Sequence, residues 1–192
     1  MVAADFKFGK NFGRLAAEKN LYLAVDDLLA MRAVNPRTRL VLVGDGPLAA
    51  ALRSRLPEAI FCGMRAGVDL AAHYASADIF LFPSLTETFG NVTLEAMASG
   101  LAVVAFDYAA AHCVIEHAYN GLLVPYHDAA AFIASARELS SALDTIRRLG
   151  RAARRAAATV AWKRIYDELE MILVELEIRP NLDKLNRNYK KS

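Results

Sequence analysis

Apolar residues in this 192-residue chain fall into short unbroken runs and do not alternate with polar ones. Four such runs are Leu40-Val41-Leu42-Val43, Ile79-Phe80-Leu81-Phe82, Ala102-Val103-Val104-Ala105-Phe106 and Leu122-Leu123-Val124. A strand that shows no alternation is one covered on both faces, as in a parallel sheet. Stretches of helical character separate the runs, at Leu21–Val34, 69–76 and 92–99. Alternation of strand and helix at this spacing predicts βαβ units wound into an open, doubly wound α/β sheet. In such a sheet ligands sit beyond the carboxyl ends of the strands.

The pattern changes near Asp128. Residues 128–158 are rich in Ala and Arg and carry no strand signal. Residues 160–178 place Trp162, Ile165, Tyr166, Leu169, Ile172, Leu173 and Leu176 at three- and four-residue spacing, one apolar stripe of a helix that Pro180 ends. The expected organisation is therefore one domain over 1–178, with its core at 13–158 and a terminal helix at 160–178. A polar, basic tail at 179–192 reads as a frayed end.

Composition narrows the class. A chain of this length buries its own core, and 55% hydrophobic with 23% charged residues is a soluble globular balance. A net charge of +2 gives no reason to expect a nucleic-acid partner. Cys62 and Cys113 have no C-x-x-C spacing and read as buried apolar thiols of a reducing compartment. The first residues lack the apolar core of a secretory signal, and no run approaches the roughly 18 apolar residues of a membrane span. The expected location is the cytoplasm, compatible with peripheral contact at the inner face of a membrane.

Four stretches carry candidate chemistry. Gly13-Arg14-Leu15-Ala16-Ala17-Glu18-Lys19-Asn20 sets an Arg and a Lys before the first helix, where both reach an anion docked over the strand ends. Taken alone, the pair reads first as a solvated charged turn. Gly44-Asp45-Gly46-Pro47 follows a strand and suits a tight turn, with Pro47 in the first turn of the next helix. It is not G-x-G-x-x-G, so no dinucleotide fingerprint is present. Ser76-Ala77-Asp78-Ile79-Phe80-Leu81-Phe82-Pro83-Ser84 is a strand that delivers the next segment to the carboxyl edge. That segment, Glu87-Thr88-Phe89-Gly90-Asn91-Val92-Thr93-Leu94-Glu95-Ala96-Met97-Ala98-Ser99-Gly100, opens a helix at Asn91 whose free N–H groups favour a phosphate or sugar oxygen. Glu95, one turn in, accepts from vicinal hydroxyls. Two glutamates eight apart are also common by chance. Of the histidines, His73 reads as a helix-surface residue and His127 as a turn residue, while His112 and His117 lie near the expected crevice. Nothing has metal-ligand spacing, and there is no D-x-D.

In combination, G-R-L-A-A-E-K-N, V-G-D-G-P, F-C-G, S-A-D-I-F-L-F-P-S and E-T-F-G-N-V-T-L-E-A-M-A-S-G, in that order, resemble the C-terminal domain of family-4 retaining GT-B glycosyltransferases. The resemblance covers about residues 13–125. It implies a Rossmann-like domain that binds a UDP- or GDP-sugar, with a separate N-terminal domain, to which no segment of this sequence corresponds, holding the acceptor. Gly13, Arg14 and Lys19 match the diphosphate-binding stretch of the family. Glu87 and Glu95 match its two glutamates, the first at the donor sugar and the second at the ribose. Phe61, Cys62, Gly63 and Met64 match the strand end beside the nucleobase. Thr88, Phe89, Gly90, Asn91 and Val92 match the loop and helix start facing sugar and phosphates. Two departures stand out. Phe6-Lys7-Phe8-Gly9-Lys10-Asn11-Phe12 is less apolar than a first strand should be. Asp107-Tyr108-Ala109-Ala110-Ala111-His112 replaces a glycine-bearing loop and resembles a mannosyl-transferring subset, which implies GDP-mannose.

The implied chemistry is metal-free transfer of a sugar from a nucleoside diphosphate with retention of configuration, and no cofactor. Arg14, Lys19 and the helix start at Asn91 meet the charge of the leaving group, and the sugar centre becomes oxocarbenium-like. The alternative reading is a nucleotide-binding α/β module without catalysis.

Overall fold

The structure is a computed structural model that describes residues 8–12, 14–86 and 91–160. Every residue of strands β2 (Leu40–Val43), β4 (Ile79–Phe82) and β5 (Ala102–Phe106) is buried, which is why these runs carry no polar alternation. Successive residues feed opposite sides of the sheet. Ile79, Leu81, Val104 and Phe106 join one cluster, while Phe80, Phe82, Val103 and Ala105 join another.

Three further strands complete the sheet: β1 (Phe8–Phe12), β3 (Ile60–Gly63) and β6 (Leu122–Val124). All neighbours pair in parallel, in the order β3-β2-β1-β4-β5-β6. This is the order of a doubly wound Rossmann-like sheet, with its reversal between β1 and β4. The unusual first run does form a strand, but its pairing with β2 slips between Phe8 and Lys10.

Seven helices cover the sheet among the described residues: α1 (Leu21–Val34), α2 (Ala49–Arg55), α3 (Gly67–Ala75), α4 (Asn91–Ala98), α5 (Ala109–Val114), α6 (Ala129–Ser141) and α7 (Leu143–Thr159). On one face Leu23 and Met31 of α1, Phe132, Ala136 and Leu139 of α6, and Ile146 and Leu149 of α7 pack on β4, β5 and β6. On the other, Tyr74 of α3, Ala96 and Met97 of α4 and Ala111 of α5 pack on β2, β4 and β5. A third cluster sets Leu21, Val25 and Leu28 of α1 and Leu52 of α2 against Leu40 and Leu42.

Local chemistry sets several boundaries. Asp128 caps α6 by accepting the Ala131 N–H at 2.9 Å. Gly100, at φ +80°, ends α4 in a Schellman turn: the Leu101 N–H reaches the Ala96 carbonyl and the Gly100 N–H the Met97 carbonyl. Pro47 lies in the turn before α2, not within its first turn as expected, because the helix opens only at Ala49.

The chain divides into one unit of Met1–Ala157 and a second of Ala158–Ser192, of which only residues 158–160 are described. The stripe expected from Trp162 to Leu176 and the tail at 179–192 lie outside the described residues. Among the described residues no helix is long and apolar enough to cross a membrane. The cysteines correct the sequence reading. Both are free, but Cys62 is only half-buried and Cys113, on the short α5, is exposed.

Candidate functional site

The reversal of strand order places a crevice at the carboxyl ends of β1 and β4. Three loops meet beside it. After β1, the Leu15 N–H donates to the Asp45 carbonyl at 2.9 Å and the Leu15 carbonyl accepts from the Leu48 N–H at 2.9 Å. This brings the Leu15 backbone onto Gly46: a Cβ there would lie 2.5 Å from the Leu15 carbonyl oxygen. Gly46 is therefore a close-approach residue that stitches the β1 and β2 loops. The Gly44 N–H in turn donates to the Gly63 carbonyl at 2.8 Å, joining the ends of β2 and β3.

Arg14 is exposed at the start of this rim. Lys19 closes the single 3-10 turn (Ala17–Lys19) that precedes α1. Its ammonium lies 3.5 Å from the Thr86 carbonyl and 5.8 Å above the Phe82 ring. The Glu18 carbonyl accepts the Leu85 N–H at 3.1 Å, and the Tyr126 hydroxyl donates to the Leu85 carbonyl at 2.6 Å. Leu85 is thus held at both ends of its residue, from the loops after β1 and β6. Gly13, Glu87, Thr88, Phe89 and Gly90 lie outside the described residues.

A cleft of about 250 Å³ opens among the ends of β2 and β3, α3 and α4, lined by Val43, Gly44, Met64, Arg65, Leu70, Tyr74, Val92 and Glu95. It gathers four of the residues singled out from sequence, Gly44, Met64, Val92 and Glu95. Asn91 opens α4 one residue before Val92. Gly63 ends β3 at φ +69°, with open space where a side chain would begin. Phe61 is not in the cleft. It packs with the cluster of β2, α1 and α2, under the Arg53 guanidinium at 4.4 Å. Cys62, one residue on, joins the opposite cluster.

Two polar cleft residues escaped the sequence reading. Arg65 pairs with Asp69 at 3.4 Å, an exposed i,i+4 contact. The Tyr74 hydroxyl donates to Glu95 Oε2 at 2.8 Å. Burial, and then the Glu95 carboxylate, hold the Tyr74 phenol well above the usual tyrosine range, so it stays a donor. A tyrosine at an apolar position asks for a hydroxyl partner, but nothing in the sequence names Glu95, 21 residues away.

At the β5 and β6 ends, His112 Nδ1 lies 2.6 Å from Asp107. His117 Nδ1 accepts the Leu123 N–H at 3.1 Å. Tyr108 stacks on Tyr126 at 4.5 Å, and His127 follows in the turn after β6. His73, in the last turn of α3, is only partly exposed, and its Nδ1 lies 2.8 Å from the Asp69 carbonyl. No group of three potential metal ligands forms among the described residues.

Residues 11–142 match the model of the glycosyl transferases group 1 family. The chain is 38% identical over 164 residues to a GDP-mannose-dependent alpha-mannosyltransferase of Mycobacterium tuberculosis, covering 82% of this chain and 40% of that protein. Its fold superposes on the Anabaena protein HepE, solved in complex with UDP, with a TM-score of 0.77 at 24% identity, over 90% of this chain and 50% of the other. It also matches the C-terminal domain of a glycosyl transferase group 1 family protein, LpcC, from Francisella tularensis, with a TM-score of 0.72 at 22% identity over 81% and 85% of the two chains. The chain thus spans about 40% of the length of the mannosyltransferase it matches. Its doubly wound sheet is the C-terminal half of a GT-B fold, and the chain belongs to the group 1 glycosyl transferases.

Proposed function

We propose that this chain is the donor-binding half of a sugar-nucleotide glycosyltransferase, that its donor is GDP-mannose, and that it transfers with retention of configuration. One observation carries the reading. A single carboxylate, Glu95, lines with Met64 and Val92 a cleft at the carboxyl edge of the sheet, on a chain 38% identical to a GDP-mannose-dependent enzyme. In this reading the base lies against the β3 end near Met64, Glu95 receives the ribose, and Arg14 and Lys19 take the diphosphate. Glu87 lies at the hexose. The leaving diphosphate gains charge as the glycosidic bond breaks, and fixed cations and the start of α4 meet that charge without a metal. The acceptor is held by a separate domain.

Titration calorimetry in the presence of EDTA tests this. GDP binds in the micromolar-to-millimolar range, more tightly than UDP, and NAD does not bind. Absence of heat with both GDP and UDP at millimolar concentration overturns the reading. Tighter binding of UDP overturns the GDP-mannose assignment alone.

A further inference from the structure

Glu95 borders two hollows. Beside the cleft of about 250 Å³ lies a second space of about 380 Å³ between α3 and α4, lined by Gly67, Ala71, Ala98 and Ser99. Leu70, Tyr74 and Glu95 line both. A glutamate at such a junction has rotamers that serve either space, and an unheld carboxylate divides its time between them.

Tyr74 removes that freedom. The residue is 2% exposed, and its ring meets Phe80 of β4 edge-on, with centroids 6.4 Å apart and planes at 63°. A phenol so fixed has two in-plane places for its O–H, and Glu95 Oε2 accepts it in one of them at 2.8 Å. Burial and the adjacent negative charge both keep the phenol protonated, so the direction of the bond does not reverse at any ordinary pH. A carboxylate offers about four acceptor positions on its two oxygens. The phenol takes one on Oε2 and leaves Oε1 free of it.

We infer that Tyr74 is a positioning residue: its hydroxyl holds one oxygen of Glu95 so that the other stays presented to the cleft, ready to accept from a ribose hydroxyl. This rests on the donor-binding reading above. It assigns the recognition of ribose to a pair, a carboxylate on α4 that touches the ligand and a phenol on α3 that does not. The benefit is preorganisation: the rotamer entropy of Glu95 is given up on folding instead of on binding.

The test measures GDP, UDP and their 2′-deoxy forms against the wild-type chain, Tyr74→Phe, Glu95→Gln and the double variant. The wild type prefers the ribo form by about tenfold, the scale of a charge-assisted hydrogen bond. Tyr74→Phe, which keeps the ring and its packing, lowers that preference to about threefold or less and leaves the deoxy affinity unchanged. In the Glu95→Gln background the same change has no further effect. 4-Aminophenylalanine at position 74 restores a donor and with it the preference, which a purely structural role does not predict. It also supplies the comparison should Tyr74→Phe fold poorly. Equal weakening of ribo and deoxy ligands, or an unchanged preference in Tyr74→Phe, overturns the role of Tyr74 while leaving the donor-binding reading intact. Wild type that binds without discriminating ribose overturns the roles of both residues, and wild type that binds neither nucleotide overturns the reading beneath them.

Discussion

Asp27 is fully buried on the stripe of α1 that also carries Leu23 and Met31, residues that pack with Phe132, Ala136 and Leu139 of α6. Neither of its carboxylate oxygens has a hydrogen-bond partner among the described residues. Burial, and secondarily the neighbouring Asp26, push its pKa up to about 8. The unfolded chain releases this proton near pH 4. Unfolding therefore releases a proton between about pH 4 and 8, and the contribution of Asp27 to stability falls across that window. The contribution is fully present below the lower value and gone above the upper one. Ionised Asp27 costs the folded state on the order of a few kcal/mol. Asp27→Asn, which is close in shape and carries no charge, is expected to raise Tm by roughly 5–10 °C at pH 8.5 and by under about 2 °C at pH 5. Thermal melts at the two pH values check this, and a gain equal at both would show that the charge is not the cause.

At the scale of elements, the turn that ends α4 governs how α7 lies. Gly150, within α7, comes against the turn at Gly100, and a Cβ added at Gly150 would land on the Gly100 carbonyl oxygen. In an exposed helix Gly→Ala adds about 1 kcal/mol of stability. Here backbone meets backbone, so the clash wins: Gly150→Ala is expected to cost about 2 kcal/mol or more, a drop in Tm of roughly 5 °C. Urea denaturation measures it, and a stabilised variant would mean that α7 shifts freely over the turn. Such pairings of glycines 50 residues apart leave no local signal. What the sequence does display is set by burial. The strands at β2, β4 and β5 are legible to the residue because both faces are covered, the partly buried β6 because its run is unbroken, and α1 because it is apolar on most sides and feeds two core clusters. The sequence cannot tell which face of β3 a residue joins, because Ile60, Phe61 and Cys62 are all apolar. Phe61 is placed beside the nucleobase by the resemblance alone, and its side chain packs with the cluster of β2, α1 and α2. Glu95 is singled out by the resemblance, since two glutamates eight apart carry little by themselves; its phenol partner is not, because Tyr74 reaches it only through the packing of α3 beside α4. The free Cys113 read as buried because cysteine usually is, whereas a short α5 leaves it outside.

For the molecule as a whole, the proposed donor-binding function has a kinetic consequence. Transfer needs donor and acceptor aligned in a closed, water-poor cleft, and alignment alone contributes about 7–11 kcal/mol to lowering the barrier. On the proposed reading, in which these residues supply the donor wall, they are expected to bind nucleotide and transfer no sugar by themselves, and to gain transfer when an acceptor-binding domain is added. Incubation of the chain with GDP-mannose and mannoside acceptors, followed by mass spectrometry of the products, checks this. Product formed at a steady turnover by the chain alone would place the acceptor site within these residues. The rim of the crevice also has a consequence in the time domain. The N–H of Leu85 is engaged by Glu18 and its carbonyl by Tyr126. That proton can exchange with deuterium through the native state only when the turn ahead of α1 lets go. The carbonyl bond resists the same movement from the side of β6. Isotope uptake at one amide therefore counts the opening events of a rim assembled from three separate loops.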